Sequence, residues 1–143
     1  MRISTRGQYS LEALLYLAAL PEGTVASARE IAESTGISEG YLEQLFIALN
    51  KAGIVRAVRG AAGGYRPGRP PADISAGDIL RAAEGSLEPV ACLASECCPA
   101  EAACVVRHTW SQLYREINAC VDAVSLADLA ADLAAEGDGE YAV

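Results

Sequence analysis

The first fifty residues show the apolar periodicity of amphipathic helices. Apolar side chains at three- and four-residue spacing predict a helix over residues 9–20, with Ser4 or Thr5 as its N-cap. Pro21 follows the end of this helix, where a residue that lacks an N–H cannot continue the helical hydrogen bonds. The chain is therefore expected to begin with a helix.

Two shorter helices with a tight turn between them follow the first. A capping box of Ser27 and Glu30 predicts a helix that ends at Gly36. Ser38 caps the next helix, which is expected to run to about residue 50 with leucines and a phenylalanine on one face. A helix, a short glycine-containing turn and a second helix have the spacing of a helix-turn-helix motif.

A β-hairpin is predicted immediately after this motif. Residues 54–58 alternate well enough for a strand, residues 59–64 form a glycine-rich turn, and Tyr65 begins the return strand. A hairpin in this position is the wing of a winged helix. A proline-rich connector over residues 66–73 follows it.

The second half of the chain is predicted to be helical around one irregular segment. Ser75 starts a helix, residues 85–103 are irregular, and residues 104–124 form a helix of about 20 residues before a last helix capped by Ser125. So long a helix has few partners in a small domain, so we expect it to pack against the same helix of a second chain. The prediction is a homodimer.

These elements define a mainly α fold: a winged helix-turn-helix with a small β-hairpin wing and a long C-terminal dimerisation helix. We expect residues 1–70 to form a DNA-binding domain and residues 71–143 to contain the cysteine segment and the dimerisation helices. The net charge of −8 alone argues against nucleic acid as a partner. However, residues 1–70 hold eight bases and six acids, whereas residues 71–143 hold three bases and thirteen acids. A polyanion would be attracted to the first part only.

Composition excludes several other classes of protein. Hydrophobic residues make up 52% of the chain, too many for a disordered protein. The longest apolar run, residues 13–20, is shorter than the roughly 18 residues of a membrane span, so we expect a soluble, cytoplasmic protein with no membrane partner. The sequence has no nucleophile elbow, P-loop or dinucleotide fingerprint, and only one histidine, so we expect no enzymatic activity.

The second helix of the helix-turn-helix has side chains suited to reading DNA. In the major groove the amide of Gln44 can bond adenine, and the carboxylate of Glu43 can accept from the amino group of cytosine. Hydroxyl groups on the same helix suit phosphates or base edges. The ordinary alternative is a solvated helix face. The candidate residues of this helix are Ser38, Glu39, Tyr41, Glu43 and Gln44.

The wing adds candidate contacts to the DNA backbone and the minor groove. Arg59 and Gly60 lie at the tip of the hairpin, where glycines permit close backbone approach and a guanidinium can enter a narrow minor groove. Arg56, on the preceding strand, is a candidate for phosphate contact. Together with the helix-turn-helix, these residues favour DNA binding over an ordinary solvent-facing hairpin.

Three stretches of the sequence resemble one family of bacterial regulators. The sequences YLEQLF at residues 41–46, VRGAAGGY at residues 58–65 and MRISTRGQY at residues 1–9 are similar to those of the winged-helix regulators typified by IscR and NsrR. The resemblance, of Rrf2 type, covers about residues 1–130. It implies a homodimer that binds a roughly palindromic double-stranded operator. It also places Ser38, Tyr41, Glu43 and Gln44 in the major groove and Arg59 in the minor groove.

Cysteines are clustered in the irregular segment. Cys92, Cys98 and Cys104 are spaced Cys-x5-Cys-x5-Cys, and His108 follows four residues later, on the same face of the predicted helix. In a reducing cytosol such a cluster favours a metal site or redox chemistry over disulfides. Thiolates and imidazole suit an iron–sulfur cluster or zinc, although the spacing lacks the Cys-x2-Cys pairs usual in structural zinc sites. Cys120, in the long helix, is expected to be a packing residue.

The resemblance implies that the three cysteines hold an iron–sulfur cluster, with 2Fe–2S favoured and 4Fe–4S as the alternative. IscR-like proteins have a histidine where this chain has Arg107, and NsrR-like proteins use an acid where it has Gln8. The fourth ligand is therefore His108, an N-terminal group such as Glu12 of a partner chain, or a small exogenous ligand.

The functional hypothesis is a homodimeric transcriptional regulator, for instance a repressor, whose operator affinity is switched by an iron–sulfur cluster. The cluster would respond to iron, redox state or nitric oxide by ordering the cysteine segment against the long helix. The alternative is a cluster-free regulator of thiol-redox state or cysteine metabolism, in which Cys97, Cys98 and Cys104 are oxidised.

Overall fold

A computed structural model describes residues 2–93 and 104–137 of the 143-residue chain. Its helices and strands follow in the order α1 (Thr5–Ala19), α2 (Ala28–Thr35), α3 (Glu39–Lys51), β1 (Val55–Val58), β2 (Gly64–Pro67), α4 (Ala76–Glu84), α5 (Arg107–Asp122) and α6 (Leu126–Glu136). The prediction of a mainly α, winged-helix fold is confirmed. Within the described ranges, no helix has the length and apolarity needed to cross a membrane.

The serine caps fix the helix starts much as the sequence indicates. Ser4 caps α1, its Oγ accepting from the backbone N–H of Arg6 at 3.2 Å, so the helix begins four residues before the predicted start. Ser27 forms the predicted capping box of α2, and Gly36 ends that helix in the left-handed conformation at φ 77°. Ser38 caps α3. The helix-turn-helix is present.

The wing is a two-stranded antiparallel hairpin fastened to the helices. Ala57 pairs with Tyr65, and the Tyr65 backbone also exchanges two hydrogen bonds with Ala26, at 3.0 and 2.7 Å. This close approach requires a glycine at position 64, since a Cβ atom there would lie 2.2 Å from the carbonyl oxygen of Ala26. The wing is therefore held by the segment that precedes α2.

The buried core joins both halves of the chain. Ile74, Ile79 and Leu126 come from the second half and are fully buried in the same cluster as the apolar faces of α1, α2 and α3. The division of the chain at residue 70 stays a prediction. The cluster consists of Ala13, Leu14, Leu17, Ala26, Ile31, Ile37, Leu42, Phe46, Leu49, Ile54, Val55, Ile74, Ile79 and Leu126.

One carboxylate connects the end of α4 to the start of α1. Glu84 accepts hydrogen bonds from the backbone N–H groups of Ser4 at 2.9 Å and Gly7 at 3.0 Å, and also from the Ser4 hydroxyl. The Ser4 hydroxyl bond, followed by the backbone bonds, lowers the pKa of Glu84 below its usual range. A negative charge at the first turn also matches the positive end of the α1 dipole.

The long helix is shorter than predicted. It begins at Arg107, not near residue 104, and its 16 residues span about 24 Å. Its N-cap, Val106, makes no side-chain capping bond. Arg81 of α4 attaches α5 to the body, donating to Asn118 at 2.8 Å and to Asp122.

Candidate nucleic-acid interface and cysteine segment

The two faces of α3 are sharply different. One face is buried and supplies four core side chains: Leu42, Leu45, Phe46 and Leu49. The opposite face is exposed and follows the same helical period, with Ser38 as its cap: Glu39, Gly40, Glu43, Gln44 and Ile47. Four of the five predicted helix contacts, Ser38 among them, are therefore accessible to a duplex, while Tyr41 is half-buried.

Tyr41 and Ser38 also have structural roles; the cap formed by Ser38 was predicted, whereas the contact made by Tyr41 was not. The Tyr41 ring makes an edge-to-face contact with Tyr9 of α1, with ring centroids 5.8 Å apart. The Ser38 hydroxyl accepts from the backbone N–H of Tyr41 at 3.3 Å, which caps the helix. These contacts hold the first turn of α3 in place, so both residues support the surface whether or not they touch DNA.

Glu43 lies where α3 meets the wing. Burial raises the pKa of Tyr65, and the negative charge of Glu43 raises it further. The Tyr65 ring in turn packs against Phe46, with centroids 4.4 Å apart. The helix α3 and the wing are therefore packed directly against each other.

The wing tip exposes Arg59 and Gly60 as predicted. Its glycines, however, are required within the chain itself. Gly60 has φ 112°, and a Cβ at Gly63 would lie 2.3 Å from the carbonyl oxygen of Val58. The tight hairpin thus explains the glycine-rich turn without DNA, and Arg59 is left as the side chain that projects from the tip.

Two arginines face each other across the hairpin. Arg56 and Arg66 are directly paired, so their side chains leave the same face of the sheet. Within the described ranges neither makes an ion pair with an acid. Adjacent like charges of this kind are unfavourable by themselves, and an anion such as a phosphate relieves the repulsion.

Only part of the cysteine cluster lies within the described residues. Cys92 lies in a short 3₁₀ turn at Ala91–Leu93, and Cys104 lies three residues before α5; both are half-buried free thiols. Cys97 and Cys98 lie outside the described residues. Cys120 is exposed on α5, so within the single chain it is not the packing residue that was predicted.

The sequence predicted that Cys104 and His108 lie on one helix face, but the structure does not place them so. Cys104 is not helical; its carbonyl oxygen accepts from the N–H of Arg107, at 3.3 Å, and the helix starts only there. His108 is exposed in the first turn of α5. Within residues 2–93 and 104–137, no three His, Cys, Asp or Glu side chains are grouped closely enough to hold a metal ion. Gln8 and Glu12 are exposed on α1.

The helix α5 buries none of its residues in the single chain. Leu113 is 40% exposed, and Val105 and Val106, just before the helix, are 93% and 51% exposed. Its other apolar positions, such as Trp110 and Ile117, are half-buried. This side of the molecule therefore presents apolar surface that residues 2–93 and 104–137 leave uncovered.

Ile47 is the residue of the candidate interface that sequence reasoning missed. Its side chain is 71% exposed on the polar face of α3. The signal was available: the stripe of Leu42, Leu45 and Leu49 defines the buried face, and Ile47 lies off that stripe.

Comparisons with known proteins identify the family and support the overall fold. The sequence model of the family described as "Rrf2: Iron-dependent Transcriptional regulator" matches residues 3–132. The transcriptional regulator IscR of Aliivibrio salmonicida is 38% identical over 133 residues, 92% of this chain and 79% of that protein.

Two solved structures are similar over most of their length. CymR, described as the global cysteine regulator of B. subtilis, superimposes with a TM-score of 0.76 and 38% identity, covering 92% of this chain and 98% of that one. T. potens IscR gives a TM-score of 0.76 and 37% identity, covering 100% and 94%.

Proposed function

The chain belongs to the Rrf2 family of transcriptional regulators, and we propose that it binds operator DNA as a homodimer whose affinity depends on an iron–sulfur cluster held by its cysteine segment. The observation that supports the DNA-reading part most directly is the exposed face of α3. Its polar side chains are displayed on a helix whose other face, cap and neighbouring wing are all fixed by the chain.

In this proposal α3 enters the major groove and the wing tip follows the neighbouring minor groove. Gln44 and Glu43 contact base edges, with Ser38, Glu39 and Tyr41 beside them. Arg59, next to Gly60, enters the minor groove, and Arg56 contacts phosphate. A carboxylate near phosphate is unfavourable unless a cytosine amino group satisfies it, so Glu43 contributes selectivity more than affinity.

The helix α5 provides the dimer contact. It is amphipathic, yet no residue of it is buried in one chain. A second copy that covers Leu113 and the apolar positions around it would remove this surface from water, and apolar burial is the main driving force for such association. A dimer also presents two copies of α3, one for each half-site of a palindromic operator.

The cysteine segment is suited to an iron–sulfur cluster by its donor chemistry. Cys92 and Cys104 are free and half-buried, and thiolate sulfur is the ligand that iron–sulfur clusters use. Cys92, Cys98 and Cys104 would hold the cluster, with His108 or Glu12 of the partner as the fourth protein ligand. A bound cluster would supply reversible oxidation and sensitivity to iron supply or nitric oxide.

A continuous set of contacts leads from the cysteine segment to the reading helix. The carbonyl of Cys104 receives the first backbone bond of α5, and Arg81 fastens α5 to α4. Glu84 fastens α4 to the start of α1, and the contact of Tyr9 with Tyr41 fastens α1 to α3. A change in the order of the segment therefore has a physical route to operator affinity, provided that two states differ in their stability.

The cluster is tested by chemical analysis and DNA binding of protein prepared without air. We expect iron and acid-labile sulfide in the wild type and in Cys120→Ala, which removes a cysteine outside the proposed ligand set and so serves as the control for metal content. We expect both to be lost in Cys92→Ala and Cys104→Ala, with a change in operator affinity of at least about tenfold, which corresponds to roughly 1.4 kcal/mol. Equal affinities for all four proteins would refute the coupling.

A cluster-free thiol switch is the second candidate. It is favoured by the likeness to the protein described as a global cysteine regulator and by the two free, half-buried thiols. The distinction is visible: cluster protein is brown and loses its absorption on oxidation, whereas a thiol switch is colourless and changes its operator affinity with the oxidation of Cys104 or its neighbours.

The DNA-reading surface is tested with an operator selected from random duplexes by the wild-type protein. Gln44→Ala should lose about 1–3 kcal/mol of binding at one base position. Arg59→Ala should weaken binding and reduce the preference for a narrow minor groove. Arg29→Ala removes an exposed arginine of α2 that lies outside the proposed surface, and it should bind within about twofold of the wild type.

A further inference from the structure

We propose that Ile47 reads the methyl group of a thymine in the operator, an inference that rests on the proposed DNA-binding function. Its side chain is 71% exposed on α3, whereas Leu42, Leu45 and Leu49 of the same helix are at most 3% exposed. An apolar side chain at such a position contributes nothing to the core of this chain.

Ile47 continues the row of predicted base contacts. It follows Glu43 by four residues and Gln44 by three, so the three side chains lie on one face of α3. Gly40, one turn before Glu43, has nothing within 4 Å of the place where a Cβ would be. Along this face, position 40 therefore has no side chain, positions 43 and 44 have polar side chains, and position 47 has one branched apolar side chain.

The chemistry of the major groove assigns the partner of this apolar side chain. The base edges there present hydrogen-bond donors and acceptors, and the one apolar group among them is the C5-methyl of thymine. Glu43 and Gln44 can satisfy polar edges, but neither gains from a methyl group. Isoleucine is β-branched and has one strongly preferred χ1 rotamer in a helix, so Ile47 offers its methyl groups at a defined position.

The spacing along the helix also fixes where the thymine should lie. Three residues advance the helix by about 4.5 Å, close to the roughly 3.4 Å between base pairs. The thymine is therefore expected at the base pair next to the one that Gln44 contacts, once in each half-site of a palindromic operator.

The test replaces each thymine of the selected operator by deoxyuridine, which lacks only the methyl group. For the wild type, one substitution per half-site should weaken binding about three- to tenfold, as measured by fluorescence anisotropy. Ile47→Ala should bind the thymine and uracil duplexes equally. Ile47→Val keeps branched methyl groups and should retain most of the discrimination.

Two other results overturn the inference, and they differ from failure of the proposed function. Ile47 does not read the methyl group if no uracil substitution weakens binding of the wild type. The same conclusion follows if uracil weakens the binding of Ile47→Ala as much as that of the wild type. If the wild type enriches no duplex at all, DNA binding itself fails. Because Ile47 is exposed, the alanine variant should match the wild type in its circular dichroism and unfolding curve.

Discussion

The helices α3 and α5 differ in how much of their environment the chain itself supplies. Four of the 13 residues of α3 are buried, and Ser38 caps the helix. The helix also has an aromatic contact to α1, and the wing packs beside it. The 16 residues of α5 include none that are buried, and no side chain caps the helix. The candidate DNA-binding surface of α3 is therefore fully supported by the described residues of one chain, whereas α5 has no buried residue there.

This difference is consistent with the separate tasks that we propose for the two regions. A helix that presents side chains to base edges must be held rigidly, because small displacements would cost its hydrogen bonds. A helix that responds to a signal needs fewer internal restraints, since regions that switch are drawn from the less stable parts of a protein.

Gly64→Ala should have the largest effect, because it breaks the attachment of the wing. The new Cβ would lie 2.2 Å from the carbonyl oxygen of Ala26, where backbone and not a flexible side chain must move. We expect a loss of about 3 kcal/mol in the free energy of unfolding, measured by urea titration with circular dichroism.

Gly40→Ala is the matched control for this change. Position 40 is helical and has nothing within 4 Å of a new Cβ, so alanine should stabilise the protein by about 0.5–1 kcal/mol through helix propensity alone. A Gly64→Ala protein as stable as the wild type would show that the wing is not fixed in the way described.

Leu113→Glu should have the next largest effect, on association rather than on folding. Leu113 is 40% exposed in one chain, so a charge there leaves the single chain folded but would be buried in the proposed dimer. We expect the dissociation constant of the dimer to rise roughly a hundredfold, or about 3 kcal/mol, by sedimentation equilibrium.

Gln112→Glu adds the same charge at the neighbouring, exposed position, about 100° around the helix. This control should leave association nearly unchanged. Equal association of the wild type and Leu113→Glu would mean that the exposed apolar side of α5 is covered by something other than a second copy.

The same comparison explains which features the sequence could predict. Helices with serine caps, such as those started by Ser27 and Ser125, were predicted closely because the capping box is a local signal. The start of α5 was misplaced because Val106 gives no capping signal and the apolar pattern continues upstream through Cys104. The local sequence pattern therefore predicts the boundary of a helix only where a local interaction, such as a capping box, fixes that boundary.

Long-range contacts were beyond the reach of that reasoning. Glu84 accepts hydrogen bonds from two backbone N–H groups that are 77 and 80 residues away in the sequence. The contact of Tyr41 with Tyr9 joins two different helices. The candidate reading residues were predicted because helical period places them on one face. Their support by other elements depends on tertiary packing, which no local pattern encodes.

Glu84→Gln should lower the free energy of unfolding by about 1–2 kcal/mol, because it weakens the contact between the end of α4 and the start of α1. Its pKa is lowered in the folded chain from 4.5 by its hydrogen bonds to Ser4 and Gly7, so the charged form stabilises the fold. That contribution is present in full above the unfolded pKa and is lost as pH falls through the folded pKa.

The difference between the wild type and Glu84→Gln in unfolding free energy should therefore be constant near neutral pH and shrink below about pH 4.5. Glu22→Gln, an exposed position shortly after α1, should show a much smaller difference. A gap for Glu84→Gln that widens as pH falls would contradict the stated role of the carboxylate.

The smallest effect is expected inside α2, where a cap and an ion pair can be compared in one helix. Arg29 and Glu33 are 3.1 Å apart, but their side chains are 77% and 65% exposed, so water and salt screen the pair. Arg29→Gln should cost less than about 0.5 kcal/mol, whereas Ser27→Ala removes the capping box and should cost about 1 kcal/mol. Unfolding curves at low and high salt separate the two, since only the Arg29 effect should fade with salt. A larger loss for Arg29→Gln would mean that surface charge, and not the caps, holds the helix-turn-helix in its reading geometry.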